Sequence, residues 1–245
     1  MTTSGTASFN LDLNNIVEEA FERCGKELRS GYDLRTARRS LNLLTVEWSN
    51  RGVNLWTIEQ GEIAMTENQS IYNLPVDTID LLEHVTRTGT GQNQQDLAIT
   101  RISVSTYATI PNKNATGRPI QVWVDRQSGA QYPSGGRPAG TDPTTGIDYP
   151  KIYVWPAPDQ SNYYTFVYWR LRRIQDAGNG VQTQDIPFRF LNCLISGLAY
   201  YLSAKIAPDR MQMLKGQYDE QWKYATEEDR DKSAVRFVPR RYFIE

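Results

Sequence analysis

The sequence predicts an α+β protein: a discontinuous antiparallel helical bundle of two N-terminal and two C-terminal helices, an inserted antiparallel β-sandwich or barrel-like module, and an extended C-terminal arm. Three observations predict it. Apolar residues recur at three-four spacing near both ends of the chain. Between them, short apolar and aromatic runs alternate with Gly, Pro and Asn turns. Near the C-terminus, apolar and basic residues follow each other with no helical period. Helices that open and close a chain bury their stripes against each other and leave the middle as an insertion. The expected divisions are 1–54, the first half of the bundle; 55–176, the β-rich module; 177–230, the second half; and 231–245, the arm.

The first helix is expected from Asn14 to Cys24, with Ile16, Val17, Ala20, Phe21 and Cys24 on one face. Asp12 or Asn14 caps its start and Gly25 ends it. The second begins near Asp33 as N-cap; Leu34, Ala37, Leu41, Leu44 and Trp48 form its stripe, and Gly52 stops it. The period then changes. Leu55–Ile58 and Glu62–Met65 read as strands around a hairpin-like break at Glu59–Gly61. Further strands are expected at 70–74, 80–87, 96–101, 119–125, 151–155 and 163–173, with a helical turn at 103–109. Because parallel strands need helical crossovers, and the sequence offers none in this stretch, the sheet is expected to be antiparallel. Helical spacing resumes after Asp185, a cap, and Pro187. Phe188, Leu191, Leu194, Ile195, Leu198, Leu202 and Ile206 give a broad face, and Pro208 opens a last helix striped by Met211, Leu214, Tyr218, Trp222 and Ala225. Burying each large side chain contributes about 1.5–3 kcal/mol before entropy, so pairing the four stripes is the stable arrangement.

Composition excludes several classes. The 245 residues carry 27 Lys and Arg against 28 Asp and Glu, so net charge points to neither nucleic acid nor membrane. No apolar run approaches the roughly 20 residues needed to span a bilayer, and residues 1–8 lack the pattern of a signal peptide. Cys24 and Cys193 fall on apolar helix faces, which predicts buried free thiols. With His84 they are too few for a zinc site, and no metal or cofactor is expected. Arginines cluster at 35, 38 and 39, at 170, 172 and 173, and at 236, 240 and 241. Solvated faces explain such clusters, and Arg is also common at protein interfaces.

No catalytic residue is assigned. His84, among Leu82 and Val85, reads as a structural strand histidine, and Gly89 to Gly91 lacks the lysine of a phosphate loop. The adjacent pairs Glu18–Glu19 and Glu227–Glu228 diverge by about 100 degrees on a helix and suit solvent. Aromatic residues are the positive signal. Trp123, Tyr149, Tyr153, Trp155, Tyr163, Tyr164, Tyr168 and Trp169 crowd the insertion; alternation turns one set inward and leaves the rest for a partner or a carbohydrate. The Gly- and Pro-rich stretch from Gln127 to Pro150 is too long for an ordinary loop, and Tyr132, Arg137 and Tyr149 are its candidate contacts with a neighbouring subunit or partner. The arm, 235–244, either folds back on its own domain or reaches another subunit's sheet or groove.

The opening Asn14-Asn-Ile-Val-Glu-Glu-Ala-Phe-Glu-Arg-Cys-Gly25, the run Ala37-Arg-Arg-Ser-Leu-Asn-Leu-Leu44, Trp48, and Arg51-Gly-Val-Asn-Leu-Trp-Thr-Ile58 occur in that order. Lys151-Ile-Tyr-Val-Trp-Pro-Ala-Pro158, Tyr168-Trp-Arg-Leu-Arg-Arg-Ile174 and the stretch from Phe188 to Pro208 follow. This series resembles the head-to-tail adaptor family of short-tailed bacteriophages, also called the tail tubular protein A family. It is weakest over 88–117 and 127–150.

The resemblance implies a virion structural protein without enzymatic activity. It implies a homo-oligomeric ring, a dodecamer by family analogy, that joins the portal to the tail nozzle. Such a ring extends a channel through which DNA passes without specific binding, and head-to-tail contacts must close it. A tail fibre or spike is a further partner. The expected location is the head–tail junction of the virion, with assembly in the host cytoplasm and no membrane association. Within this picture Phe237, Arg240, Arg241, Tyr242 and Phe243 form a portal-docking segment. The alternatives are a tail-associated carbohydrate-binding module and, behind it, a peptidoglycan hydrolase.

Overall fold

A computed structural model describes residues 5, 9–52, 55–132 and 140–229. In chain order its elements are α1 (Leu13–Arg23), α2 (Gly31–Arg51), β1 (Ile58–Ala64), β2 (Ile71–Asn73), β3 (Thr78–Thr88), β4 (Gln95–Ala98), β5 (Thr100–Arg101), α3 (Val104–Ala108), β6 (Gln121–Asp125), β7 (Lys151–Trp155), β8 (Tyr164–Arg172), α4 (Leu191–Ile206) and α5 (Met211–Glu228). The chain is mixed α+β and forms two compact units. One comprises the residues before 54 and after 174, the other those between.

In the helical unit α4 is the hub, packed against α1, α2 and α5. Asp12 caps α1, accepting from the Asn15 amide at 2.8 Å. The cap of α2 is Ser30 rather than Asp33. The Ser30 hydroxyl accepts from the Asp33 amide and donates to the Asp33 carboxylate at 2.8 Å, a reciprocal pair that adds a turn to the expected helix. Trp48 is fully buried; its Nε1–H donates to the Tyr218 hydroxyl at 2.9 Å, and its ring lies 5.5 Å from Phe190 and 5.4 Å from Trp222. At Gly197 a Cβ atom would stand 2.9 Å from both Leu44 and Tyr218, so the missing side chain permits this close crossing. Cys24 and Cys193 are buried and free, and burial pushes their thiols up to about 11 and about 12.

Two expectations fail at the start of α4. Asp185 does not cap it; its carboxylate accepts from the Gln175 amide at 3.2 Å. The chain enters instead through a 3-10 turn, Phe188–Phe190, that buries Phe190 and leaves Phe188 80% exposed rather than on the apolar face.

The second unit has two four-stranded sheets, ordered β1-β8-β3-β4 and β2-β7-β6-β5. No barrel closes among the described residues. The first sheet is antiparallel, but β5 pairs parallel with β6 in the second. The turn expected at 103–109 is the helix α3, capped by Ser103, and it supplies the crossover that a parallel pair requires. The expected strand 96–101 is split: β4 and β5 lie in different sheets, with buried Ile99 where the chain changes over. One apolar cluster joins the inner faces. The first sheet brings Leu81, Tyr164, Phe166 and Tyr168, and the second brings Tyr72, Val122, Val124, Ile152 and Val154.

The hairpin expected at Glu59–Gly61 is absent, because β1 runs unbroken along β8 with Gly61 opposite Tyr168. A Cβ at Gly61 would fall 2.4 Å from the Tyr168 ring, so this glycine admits an aromatic ring rather than turning the chain. We expect Gly61→Val to cost about 1–3 kcal/mol by overpacking. Urea midpoints would measure it, and a Tyr168→Leu background should absorb part of the loss.

His84 stacks on Phe166 at 5.9 Å, and neither ring nitrogen has a hydrogen-bond partner among the described residues. Burial, and then the nearby Arg101 charge, lower its pKa from 6.5 against the pull of Glu83. A folded pKa below the unfolded value means that its contribution is full above pH 6.5 and is lost as pH falls below it. His84→Leu should therefore flatten the acid limb of a melting-temperature profile. It should also raise stability at pH 7 by about 1 kcal/mol, since two buried polar atoms without partners are removed.

Candidate interaction surfaces

The aromatic residues of the insertion sort by face. Phe166 and Tyr168 point into the core, while Trp123, Tyr153 and Trp155 lie half-buried on the opposite face of their sheet. There the Trp123 and Tyr153 rings stack at 4.5 Å, and Tyr107 of α3 covers both at 5.4 and 5.5 Å. Trp155 Nε1–H donates to the Asn112 carbonyl at 2.9 Å, and Lys113 lies 5.6 Å from the Tyr107 ring centre. The rings are engaged with one another, which leaves little open platform for a sugar.

The arginine clusters also divide. Arg170 is nearly buried, donating to Asp77 at 2.6 Å, Thr78 at 3.0 Å and Glu59 at 2.5 Å, so it ties β8 to β1 and to the start of β3. Arg173 donates to the Ser128 carbonyl at 3.1 Å. On α2, Arg35, Arg38 and Arg39 line an open hollow of about 510 Å³ with Tyr32 and Asn42. Arg38 reaches the Ala177 carbonyl at 3.3 Å, and Tyr32 is 65% exposed. A carboxylate from another chain suits this hollow.

The loop from 127 to 150 is closed at its base. The Gly129 amide donates to the Asp148 carbonyl, Asp148 to Ala130 and Tyr132 to Gly146, at 2.8–3.0 Å, a short antiparallel ribbon. Asp142 accepts from the Thr144 and Thr145 amides, which sets the turn leading into Gly146. Lys151 donates to the Gly140 carbonyl. Tyr132 and Tyr149 are half-buried at this base, and Arg137 lies outside the described residues. The arm residues Phe237, Arg240, Arg241, Tyr242 and Phe243 also lie outside them.

One concavity was not expected from the sequence. A groove of about 1030 Å³ lies in the helical unit, with Leu191 and Ile195 as floor, Phe9, Leu11 and Phe188 as apolar walls, and Glu18, Glu19 and Glu22 of α1 along the rim. Phe9 and Phe188 are 76% and 80% exposed. Phe9, a large side chain ahead of the first helical stripe, is the one signal the sequence offers for it. Arg23 engages Glu19 at 2.9 Å, while Glu18 and Glu22 have no ion-pair partner among the described residues.

No helix among the described residues is long and apolar enough to cross a membrane. Compared with known proteins, the chain matches a family model described as SU10 adaptor protein over residues 12–240. A comparison with curated proteins finds no match.

Proposed function

The chain belongs to the SU10 adaptor protein family, a phage head-to-tail adaptor family, and from that premise we propose that it is the ring-forming link between portal and tail nozzle. In this reading twelve-fold copies, by family analogy, close head to tail around the DNA channel at the head–tail junction. The helical unit builds the ring, the two-sheet unit faces the outer wall or nozzle, and the 127–150 loop meets a neighbour or the nozzle through Tyr132, Arg137 and Tyr149. The arm, with Phe237, Arg240, Arg241, Tyr242 and Phe243, docks on the portal. A tail fibre or spike is a further partner, assembly takes place in the host cytoplasm, and no catalysis is assigned.

The observation that carries the proposal is the extent of the family match, which includes both units and runs into the arm as far as residue 240. Covered ring faces around Tyr107, Trp123 and Tyr153 favour it over carbohydrate binding. Light scattering of the protein, alone and mixed with the cognate portal ring, tests it. We expect a small species alone that adds to the portal at fixed stoichiometry. Protein that ignores the portal yet binds glycan saturably would overturn the adaptor reading.

A further inference from the structure

We propose that in the free chain residues 235–244 fold back into the acidic-rimmed groove of their own helical unit. Three observations converge there. The first is chemical complementarity. The groove offers Leu191, Ile195, Phe9 and Phe188 beneath Glu18 and Glu22, two carboxylates without ion-pair partners among the described residues. The arm interleaves Phe237, Tyr242 and Phe243 with Arg236, Arg240 and Arg241. Such a segment fills an apolar cleft with its rings and sets its guanidiniums against the rim.

The second is where the described chain ends. Asp229 is clamped by Arg189, whose Nε–H donates to it at 2.8 Å, and Arg189 is the immediate neighbour of the groove-lining Phe188. Six Cα-to-Cα steps lead from Asp229 to Val235. At about 3.3–3.6 Å per extended residue they reach roughly 20 Å, enough to lay the arm along the groove. The third is an unmet acceptor. Asp229 is 5% exposed, and its Oδ2 has no hydrogen-bond partner among the described residues, so a donor from the segment that follows would suit it. The tether commits the occupant to the same chain, because a covalently linked segment presents itself at high effective concentration.

The inference goes beyond the portal reading and does not depend on it. The full chain with p-benzoylphenylalanine in place of Tyr242, mixed with an isotopically heavy copy, is irradiated and mapped by mass spectrometry. We expect crosslinks within one chain to the α1 or 188–195 peptides. Crosslinks between light and heavy chains would assign the groove to a second copy, and crosslinks elsewhere or none would refute the docking; either result overturns the proposal. Independently, Glu18→Lys with Glu22→Lys, both at exposed positions, should speed tryptic cleavage of the arm about tenfold without changing the melting temperature. An unchanged cleavage rate also counts against it. Portal binding, measured separately on the same proteins, reports only on the adaptor reading.

Discussion

Trp48→Ala is expected to destabilise the helical unit by about 3–5 kcal/mol, the range found when a large buried aromatic residue is truncated. Trp48 is fully buried between Phe190 and Trp222, and its indole donates to Tyr218. Truncation would leave a cavity where α2, α4 and α5 meet, and it would strip the Tyr218 hydroxyl of its donor. The hydroxyl would keep only its own donation to Glu47, at 3.4 Å. Since domains are stable by only about 5–15 kcal/mol, a loss of this size brings the unit close to unfolding. Trp48→Phe keeps part of the volume and removes the donor, so it should cost about half as much. The apolar cluster of the two-sheet unit contains no residue of α2. Denaturation followed by circular dichroism at several wavelengths should therefore show the helical transition moving and the sheet transition staying. A single transition that shifts as a whole would mean that the units unfold together.

What could be read in the sequence, and what could not, follows the range of the interactions. The helices were legible because their stripes are local: Ile16, Val17, Ala20 and Phe21, or Leu41, Leu44 and Trp48, mark a face within a few turns. Most strand positions were legible for the same reason. Gly61, between two short apolar runs, looks like a turn, but its role depends on Tyr168, a cross-strand partner distant in sequence. The split between β4 and β5 escaped because both halves alternate acceptably, and only the sheet order separates them. Phe188 continues the spacing of Leu191 and Ile195, which predicts a core position, whereas the 3-10 turn rotates it outward. Arg170 looked like its neighbours Arg172 and Arg173 until strand pairing placed Glu59 and Asp77 around it. The groove was illegible for a similar reason, since its walls come from the residues before α1 and from the start of α4.

Deleting residues 235–245 is expected to abolish co-sedimentation with the portal ring while changing the melting temperature of the helical unit by no more than about 2 °C. The core around Trp48 and Gly197 is built by Leu44, Phe190, Tyr218 and Trp222, all outside 235–245, so the fold has little reason to need the deleted residues. The arm concentrates the residue types that dominate interfaces, aromatic and Arg side chains, in a short stretch. Two partial variants separate their contributions. Replacing Arg236, Arg240 and Arg241 with Ser should weaken portal binding most at low salt, because exposed charge attraction is screened within about 8–10 Å at moderate ionic strength. Replacing Phe237, Tyr242 and Phe243 with Ser should weaken it to a similar degree at every salt concentration, since apolar burial does not depend on screening. If the truncated chain still sediments with the portal, docking must reside within residues 1–234, and the arginine-lined hollow on α2 becomes the next site to mutate.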